Sequence, residues 1–418
     1  MPESPSNPVV PIVLAFSGGL DTSFCVPYLG ERLGRPIVTV TVDTGGLDAA
    51  AADDLAARSR ALGAVGHHLV DARRTLFDEV LRYLLFGNIR RGGLYPLCVG
   101  AERVLQAKEV ARVARELGST AVAHGSTGAG NDQVRFEVAL RAFAPELEVL
   151  APIRDQPVSR AEEVAFLEAR GLPVPSFGAA YSINRGLWGV TIGGKETLTS
   201  TSPLPESAWV LTRGAFDAPR AAERHSLAFV EGIPTAFDGE ALDPVALIER
   251  VEAVAAAFGL GRGIHLGDTI LGIKGRVAFE APAAEVLLTA HRELEKLVLT
   301  GRQQRVKELA APLYGELVHE GQLLEPSGRD LEALLASSQR RVTGEVHLLF
   351  RPGTLFVEGV SSPHSLMAAT RGKYGESTGE WSAADAAGFC RVASLPGMLH
   401  ARAAGHSSPN GNDQGGAA

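Results

Sequence analysis

An apolar run, Pro11 to Phe16 (PIVLAF), ends abruptly in Ser17-Gly18-Gly19-Leu20-Asp21-Thr22-Ser23, and few folds use such a junction. The run reads as a short buried strand, with Pro11 as its first residue because proline cannot donate to a sheet ladder. Two glycines then let the backbone come close to an anion. The unpaired N–H groups of the next helix point into the turn, and the helix dipole favours negative charge there. The turn is read as a phosphate cradle. It is not the GxxxxGK[ST] loop, since the lysine is missing. Asp21 beside phosphates calls for an intervening cation, magnesium held through few protein ligands. The competing reading is a tight strand-to-helix turn capped by Ser17 or Asp21.

Around this junction, strands and helices alternate. Strands are expected at 11–16, 37–42, 66–70 and 120–124, and helices at about 22–34, 48–62, 73–86, 98–117 and 160–170. Val104, Leu105, Val110, Val113, Ala114 and Leu117 fall near one helical face. Ser159 with Glu162 reads as a capping box. Such alternation predicts a parallel sheet with helices on both faces, an α/β nucleotide-binding domain over 9–171. Ligands of such sheets sit beyond the strand carboxyl ends. The Gly-rich turns 17–23, 44–46 and 125–130 all follow strands and are expected to share one cleft.

From about 172 the texture changes to an α+β domain over 172–380. Strands are expected at 208–212, 226–230, 269–273, 342–350 and 354–360, with helices at 243–258, 282–299 and 329–339. Arg351-Pro352-Gly353 reads as a hairpin turn. Ser382 with Asp385 opens a short helix near 383–390, inside a C-terminal segment 381–401. Its apolar face would be poorly buried alone, so it is read as an oligomerisation helix. Residues 1–8 and 402–418 are expected to be disordered.

Composition narrows the partners. Charged residues make up 21% of the 418, and the formal net charge is −8. No basic stripe with interleaved aromatics is present, which argues against nucleic acid. No apolar run approaches a membrane span, and the N-terminus does not read as a signal peptide. Cys25, Cys98 and Cys390 form neither a CxxC nor a metal spacing. A reduced, cytoplasmic setting is expected.

With these residues in view, the chain resembles a known family. SGGLDTS after a strand is similar to the pyrophosphate loop of the N-type ATP pyrophosphatases. His124 to Glu137 (HGSTGAGNDQVRFE) resembles the segment of the argininosuccinate synthase family that holds aspartate and part of ATP. Tyr181-Ser182-Ile183-Asn184 with Leu187, and Gly272 to Arg276 with Glu280 and Pro282, resemble two further family blocks. The resemblance runs from about residue 9 to about 395. It implies ATP and Mg2+, citrulline and aspartate as small-molecule substrates, release of AMP and pyrophosphate, and a homotetramer.

Carried residue by residue, the resemblance implies that Ala15, Phe16, Ser17, Gly18, Gly19, Asp21, Thr22, Ser23, Val42, Asp43 and Gly125 meet ATP. Thr127, Asn131 and Asp132 would hold aspartate, which agrees with its chemistry: Asn and Thr donate to carboxylates, and Asp132 accepts from an ammonium. Tyr83, Asn131, Arg135, Ser182 and Thr191 would meet citrulline. Asp21, Asp132 and Arg135 are the catalytic candidates. Tyr83 also fits core packing, Arg135 a structural salt bridge, and Asp43 a solvated strand end. His124 is read as a core histidine. No protein ligand to a metal is assigned beyond Asp21.

Three departures cluster. The family's glutamate and tyrosine near the amino-acid end of citrulline align with Gly267 and Phe279. The stretch Gly87 to Gly100 is longer than usual and carries Arg90 and Arg91. Gly193-Gly194-Lys195-Glu196 replaces a segment holding a glutamate. Either Asp268 or Glu280 substitutes for the glutamate, or the α-nitrogen is uncharged, as in an N-acylated citrulline meeting Lys195, Arg90 or Arg91. Free citrulline is the favoured expectation. The rivals are a tRNA-thiolating enzyme, which lacks its cysteine pair and basic face here, and a non-catalytic nucleotide-binding paralogue.

Overall fold

The computed structural model describes residues 10–175, 181–372, 375–376 and 379–405. The expected disorder at 1–8 and most of the 402–418 tail lie outside these residues. The chain falls into two compact units, divided between His364 and Ser365.

In the first unit the apolar run becomes β1 (Ile12–Ala15), the centre of a five-stranded sheet. With β2 (Ile37–Asp43), β3 (Gly66–Asp71), β4 (Ala121–Ala123) and β5 (Glu148–Leu150) it forms the order β3-β2-β1-β4-β5. Every pairing is parallel. Successive side chains of β1 point to opposite faces. Val13 joins a cluster with Val104, Ala107 and Val110 of the helix Arg103–Glu116. Ile12 and Leu14 join Phe24 and Leu29 of the helix Leu20–Leu33, and Leu167 of the helix Arg160–Glu168. Both faces are therefore covered by helices, as the alternation requires. The order reverses at β1, which puts the crevice between β1 and β4 at a topological switch point.

The rest of this unit holds two antiparallel sheets. One has the order β10-β9-β8-β13-β14, from Glu240–Ala241, Ile233–Phe237, Glu223–Val230, Gly344–Arg351 and Thr354–Ser361. The other has the order β11-β12-β7-β6, from Arg262–Asp268, Lys274–Glu280, Gly189–Gly193 and Ser182–Gly186. The β13–β14 hairpin turns through Pro352-Gly353, as its residues predict.

Several elements differ from expectation. Residues 269–273 form no strand; they are the turn between β11 and β12, with Gly272 at φ +80°. Residues 208–212 form a 3-10 turn, Glu206–Ala208, and a loop whose backbone is held by a carboxylate rather than a ladder. The single helix expected over 73–86 is interrupted by a π turn at Phe77–Leu81. The helix expected from 98 begins at Arg103, after a 3-10 turn at Val99–Ala101. The helix Gly301–Glu320 had no expectation; its Thr300 and Gln303 form a capping box and Gly321 ends it at φ +77°.

In the second unit, Ser382 and Asp385 do form the capping box, but the helix runs from Ala383 to Ala403 rather than stopping near 390. Arg402 and Ala403, assigned to the tail by composition, are still helical. Phe389, Val392 and Leu399 are exposed, and their spacing places them on one stripe.

Candidate active site

The Ser17–Ser23 loop follows β1 directly. Gly18 takes φ +71°, and Arg58 donates to its carbonyl at 2.7 Å. Gly19 is the N-cap of the helix Leu20–Leu33, and no side chain caps it. Gly130 likewise precedes the helix Asn131–Phe143 with no side-chain cap. Two helix N-termini thus keep free N–H groups, a ready anion site. The loop after β4 packs onto the first one: a Cβ on Gly125 would lie 3.0 Å from Thr22 Cγ2 and 3.2 Å from the Thr22 nitrogen. Ser17 Oγ and Thr22 Oγ1 are 3.3 Å apart, and the Thr22 hydroxyl donates to the Gly19 carbonyl. Ala15 and Phe16 lead into this loop, Phe16 being buried. Ser23 is also buried, its hydroxyl without a partner.

Asp21 faces Glu163, a buried residue of the helix Arg160–Glu168. Burial, followed by the Asp21 charge and hydrogen bond, pushes the Glu163 carboxyl up to about 8. Two carboxyls therefore share one environment at the loop. Among the described residues no group of three or more His, Cys, Asp or Glu is placed to hold a metal.

The third glycine-rich turn packs against the β6–β7 hairpin. Gly45 (φ +110°) lies against Leu187, whose N–H donates to the Thr44 carbonyl. Val42 and Asp43 end β2 beneath it. Asp43 Oδ1 accepts from the Gly45 N–H, and burial outweighs this bond to raise the Asp43 carboxyl. A bridge runs from here to the first site: the Thr44 hydroxyl donates to Glu102 at 2.9 Å, and Gln106 Nε2 donates to Thr44.

Asp132 is the centre of that bridge. Its Oδ2 accepts from Arg103 Nε at 3.0 Å and its Oδ1 from Arg135 at 2.8 Å. Burial opposes ionisation, but the two guanidiniums outweigh it and hold Asp132 at about 2. Arg103 also donates to Gln106 and to Asn184 Oδ1. Arg135 is nearly buried and donates to the His319 carbonyl and to His319 Nδ1. Asn131 Oδ1 accepts from the Ile270 N–H, tying the helix to the β11–β12 turn. Thr127 is exposed in the loop between.

The β6–β7–β12–β11 sheet supplies the opposite wall. Cross-strand partners share a face. Asn184 pairs with Thr191, Thr191 with Phe279, and Phe279 with Gly263. Two-residue steps add Ser182, His265 and Gly267 to that face. Tyr95, from the long 87–100 segment, packs on Phe279 with ring centroids 5.1 Å apart and stacks on His265 at 5.6 Å.

Some expected residues lie elsewhere. Tyr83 is half-buried against Phe86 and Tyr314 in the core. Glu280 does not replace the glutamate: its carboxylate is fully buried and accepts from the N–H groups of Val210, Leu211 and Thr212 and from the Thr212 hydroxyl. Arg90 is bound to Glu285 and Thr289. Asp268 pairs with Lys274 on the surface. Lys195 is exposed. His124 is buried and stacked on Phe136, a core residue as expected. Arg103, Glu102, Tyr95, His265, His319 and Glu163 had no assignment. A histidine in the last turn before a glycine marks a helix end, so His319-Glu320-Gly321 carried a readable signal; the contacts of the others are made only in three dimensions.

The thiols fit none of this chemistry. Cys25 and Cys98 are buried, and burial pushes both well up from the usual thiol range.

Fold and site together define a class: an α/β domain with a glycine-rich loop at the switch point of its parallel sheet, followed by antiparallel sheets. Residues 11–173 match the model of the arginosuccinate synthase N-terminal HUP domain, and 181–400 that of the arginosuccinate synthase C-terminal domain. The chain is 42% identical over 396 residues to an argininosuccinate synthase of Xanthomonas campestris, covering 94% of this chain and 98% of that protein. It is 38% identical over 391 residues to that of Methanocaldococcus jannaschii, covering 93% and 97%. The chain belongs to the argininosuccinate synthase family, a family of ligases.

Proposed function

We propose that this protein joins a ureido amino acid, citrulline in the first instance, to aspartate with ATP, forming argininosuccinate and releasing AMP and pyrophosphate in arginine biosynthesis. The observation that carries this reading is the packing of the loop after β4, at Gly125, onto Thr22 of the uncapped helix Leu20–Leu33, with the Asp132–Arg103–Arg135 cluster on the helix that follows this loop. One part suits phosphates and the other amino-acid carboxylates. The ureido oxygen attacks the α-phosphorus and pyrophosphate departs toward Ser17–Ser23. The aspartate amine then attacks the activated ureido carbon and AMP leaves. Thr127, Asn131 and Asp132 are the aspartate group. Asp132 has each oxygen on one guanidinium, yet a carboxylate offers about four lone-pair directions, so an ammonium can still be received. Arg135, Ser182, Thr191 and Asn131 face the ureido acid.

Magnesium fits as a companion of the nucleotide. It prefers phosphate oxygens and water with one or two carboxylates, and Asp21 is the carboxylate at the loop. The ion would neutralise phosphate charge there. Positioning and preorganised donors supply most of the remaining effect.

The exposed stripe Phe389, Val392 and Leu399 supports self-association through the C-terminal helix, in a homotetramer. No helix among the described residues is long and apolar enough to cross a membrane, and a cytoplasmic setting accords with the free cysteines. Aspartate-dependent pyrophosphate release from MgATP is the test. Citrulline should support it; ATP binding with no turnover on any ureido acid would instead favour a non-catalytic role.

A further inference from the structure

A cavity of about 590 Å³ is lined by none of the residues assigned above to ATP, aspartate or the ureido acid. Small-molecule sites usually span about 300–1,000 Å³, so it has room for a metabolite. One wall is the segment 87–92. The others are the helix Gly301–Glu320 and part of the helix Pro282–Val298.

Most charges on these walls are already matched. Lys307 and Glu295 are buried and pair with each other. Asn88 and Gln339 donate to the same carboxylate at 2.6 and 2.8 Å. Arg90 is held by Glu285, and Arg292 by Glu308. Three lining charges remain. Arg91 gives one N–H to the Asp268 carbonyl at 2.9 Å and makes no ion pair among the described residues. The carboxylates of Glu316 and Glu320 have no partner among the described residues.

The two carboxylates are placed at a cost. They are four residues apart on one helix, so they share a face and repel. Glu320 also closes that helix, where the dipole disfavours an anion. Pro312 lies inside the same helix and has no N–H for the Glu308 carbonyl. Both of these residues line the cavity too, so acceptors outnumber donors on this wall. Beside them Ile89 and Ala311 are buried apolar groups. Gly315 lets the helix approach closely, since a Cβ there would lie 2.8 Å from Ile89 Cγ2.

The charges left open are thus one cation and two carboxylates. A cationic α-amino acid carries the complement, one carboxylate and two cations. We propose that this cavity binds a free α-amino acid with a cationic side chain, its carboxylate on Arg91 and its two cations on Glu316 and Glu320. The aliphatic stem lies on Ile89, Ala311 and Gly315. An uncharged side chain, as on a ureido acid, leaves one carboxylate unmatched, so the cavity selects by charge. The proposal goes beyond the ligase reading and does not depend on it, because binding is measured without turnover.

The experiment is calorimetric titration of the full chain with L-arginine, L-ornithine and L-lysine, with citrulline and agmatine as controls. At least one of the three amino acids should bind. Glu316→Gln with Glu320→Gln should raise its Kd at least about tenfold and change that of citrulline by less than about twofold. The double variant loses a like-charge repulsion, so it should melt no lower than wild type. Agmatine has two cations and no carboxylate. Arg91→Gln should therefore weaken the amino acid about tenfold and leave agmatine within about twofold. No binding of any of the three up to about 10 mM overturns the proposal. So does an unchanged affinity in the folded double variant, which would place the amino acid at another site. Citrulline weakened as much as the cationic acids would refute selection by charge. None of these results alters pyrophosphate release as the test of the ligase reading.

Discussion

Glu163 and Asp21 face one another at the glycine-rich loop after β1, the first on a helix that starts at Arg160 and the second in the opening turn of the helix Leu20–Leu33. Glu163 is 1% exposed, and one of its oxygens has no hydrogen-bond partner. A buried carboxyl beside another carboxyl favours the protonated form.

This fixes a sign for stability against pH. The Glu163 carboxyl is raised in the fold to about 8 from an ordinary 4.5. The folded state therefore holds a proton that the unfolded state releases, and stability declines as pH rises from about 4.5 to about 8. Glu163→Gln removes that dependence at this site. Its stability relative to wild type should improve by about 1–2 kcal/mol between pH 5 and pH 8.5. Urea melts at the two pH values check it, and an equal difference at both would refute the shared proton.

Asp21→Asn should separate function from folding. The substitution removes a charge that Glu163 resists, so the melting temperature should stay equal to wild type or rise slightly. Turnover should fall at least about 100-fold if the carboxylate organises the metal–phosphate charge. Pyrophosphate release and a thermal melt on the same preparation decide it. A variant that melts much lower than wild type would show Asp21 to be structural.

Gly18→Ala should weaken the loop from two directions. The position needs φ +71°, and a Cβ there would lie 2.2 Å from Leu55 Cδ2. Leu55 can turn aside, but the backbone strain remains. A loss of about 1–2 kcal/mol is expected, together with a higher KM for ATP. Stability and ATP affinity both unchanged would mean that the loop relaxes freely.

Local chemistry made the first half legible. The SGGLDTS turn, the alternation around it and the Ser159–Glu162 capping box each depend on neighbours in sequence, and β1 with its loop is where they place it. The second half misled where charge or length replaced periodicity. Residues 269–273 carry apolar residues yet form a turn, because Gly272 needs a positive φ and the paired strands lie to either side. Residues 208–212 look like a strand, but their N–H groups are taken by Glu280 from β12, about 70 residues away. His265 of β11 meets Tyr95, and His319 of the helix Gly301–Glu320 meets Arg135; no local pattern announces either contact. The glycine at 267 was visible in the sequence; the imidazole filling its space was not.

The C-terminal helix should govern assembly. Phe389→Glu with Leu399→Glu places two charges on the exposed apolar stripe. Light scattering after size exclusion should show a smaller species than wild type, while the circular dichroism of the whole chain is nearly unchanged. An unaltered mass would exclude this stripe from the interface.

Asp132 offers the opposite titration from Glu163. Its carboxyl is held at about 2, below its ordinary 3.8, because Arg103 and Arg135 overcome the burial that opposes them. A depressed carboxylate contributes stability that is present above its unfolded value and is lost only as pH falls toward 2. Asp132→Asn leaves two nearly buried guanidiniums short of an anion. Asn184, Gln106 and the His319 carbonyl still receive them, so the loss should be moderate, about 2–3 kcal/mol. Between pH 5 and pH 8.5 that deficit should be constant, in contrast to the sloping difference of Glu163→Gln. KM for aspartate should rise about tenfold or more, since the acceptor for its ammonium is gone. A stability deficit that changes across this range would mean that Asp132 titrates there and is not held by the arginines; an unchanged KM would remove it from the aspartate group.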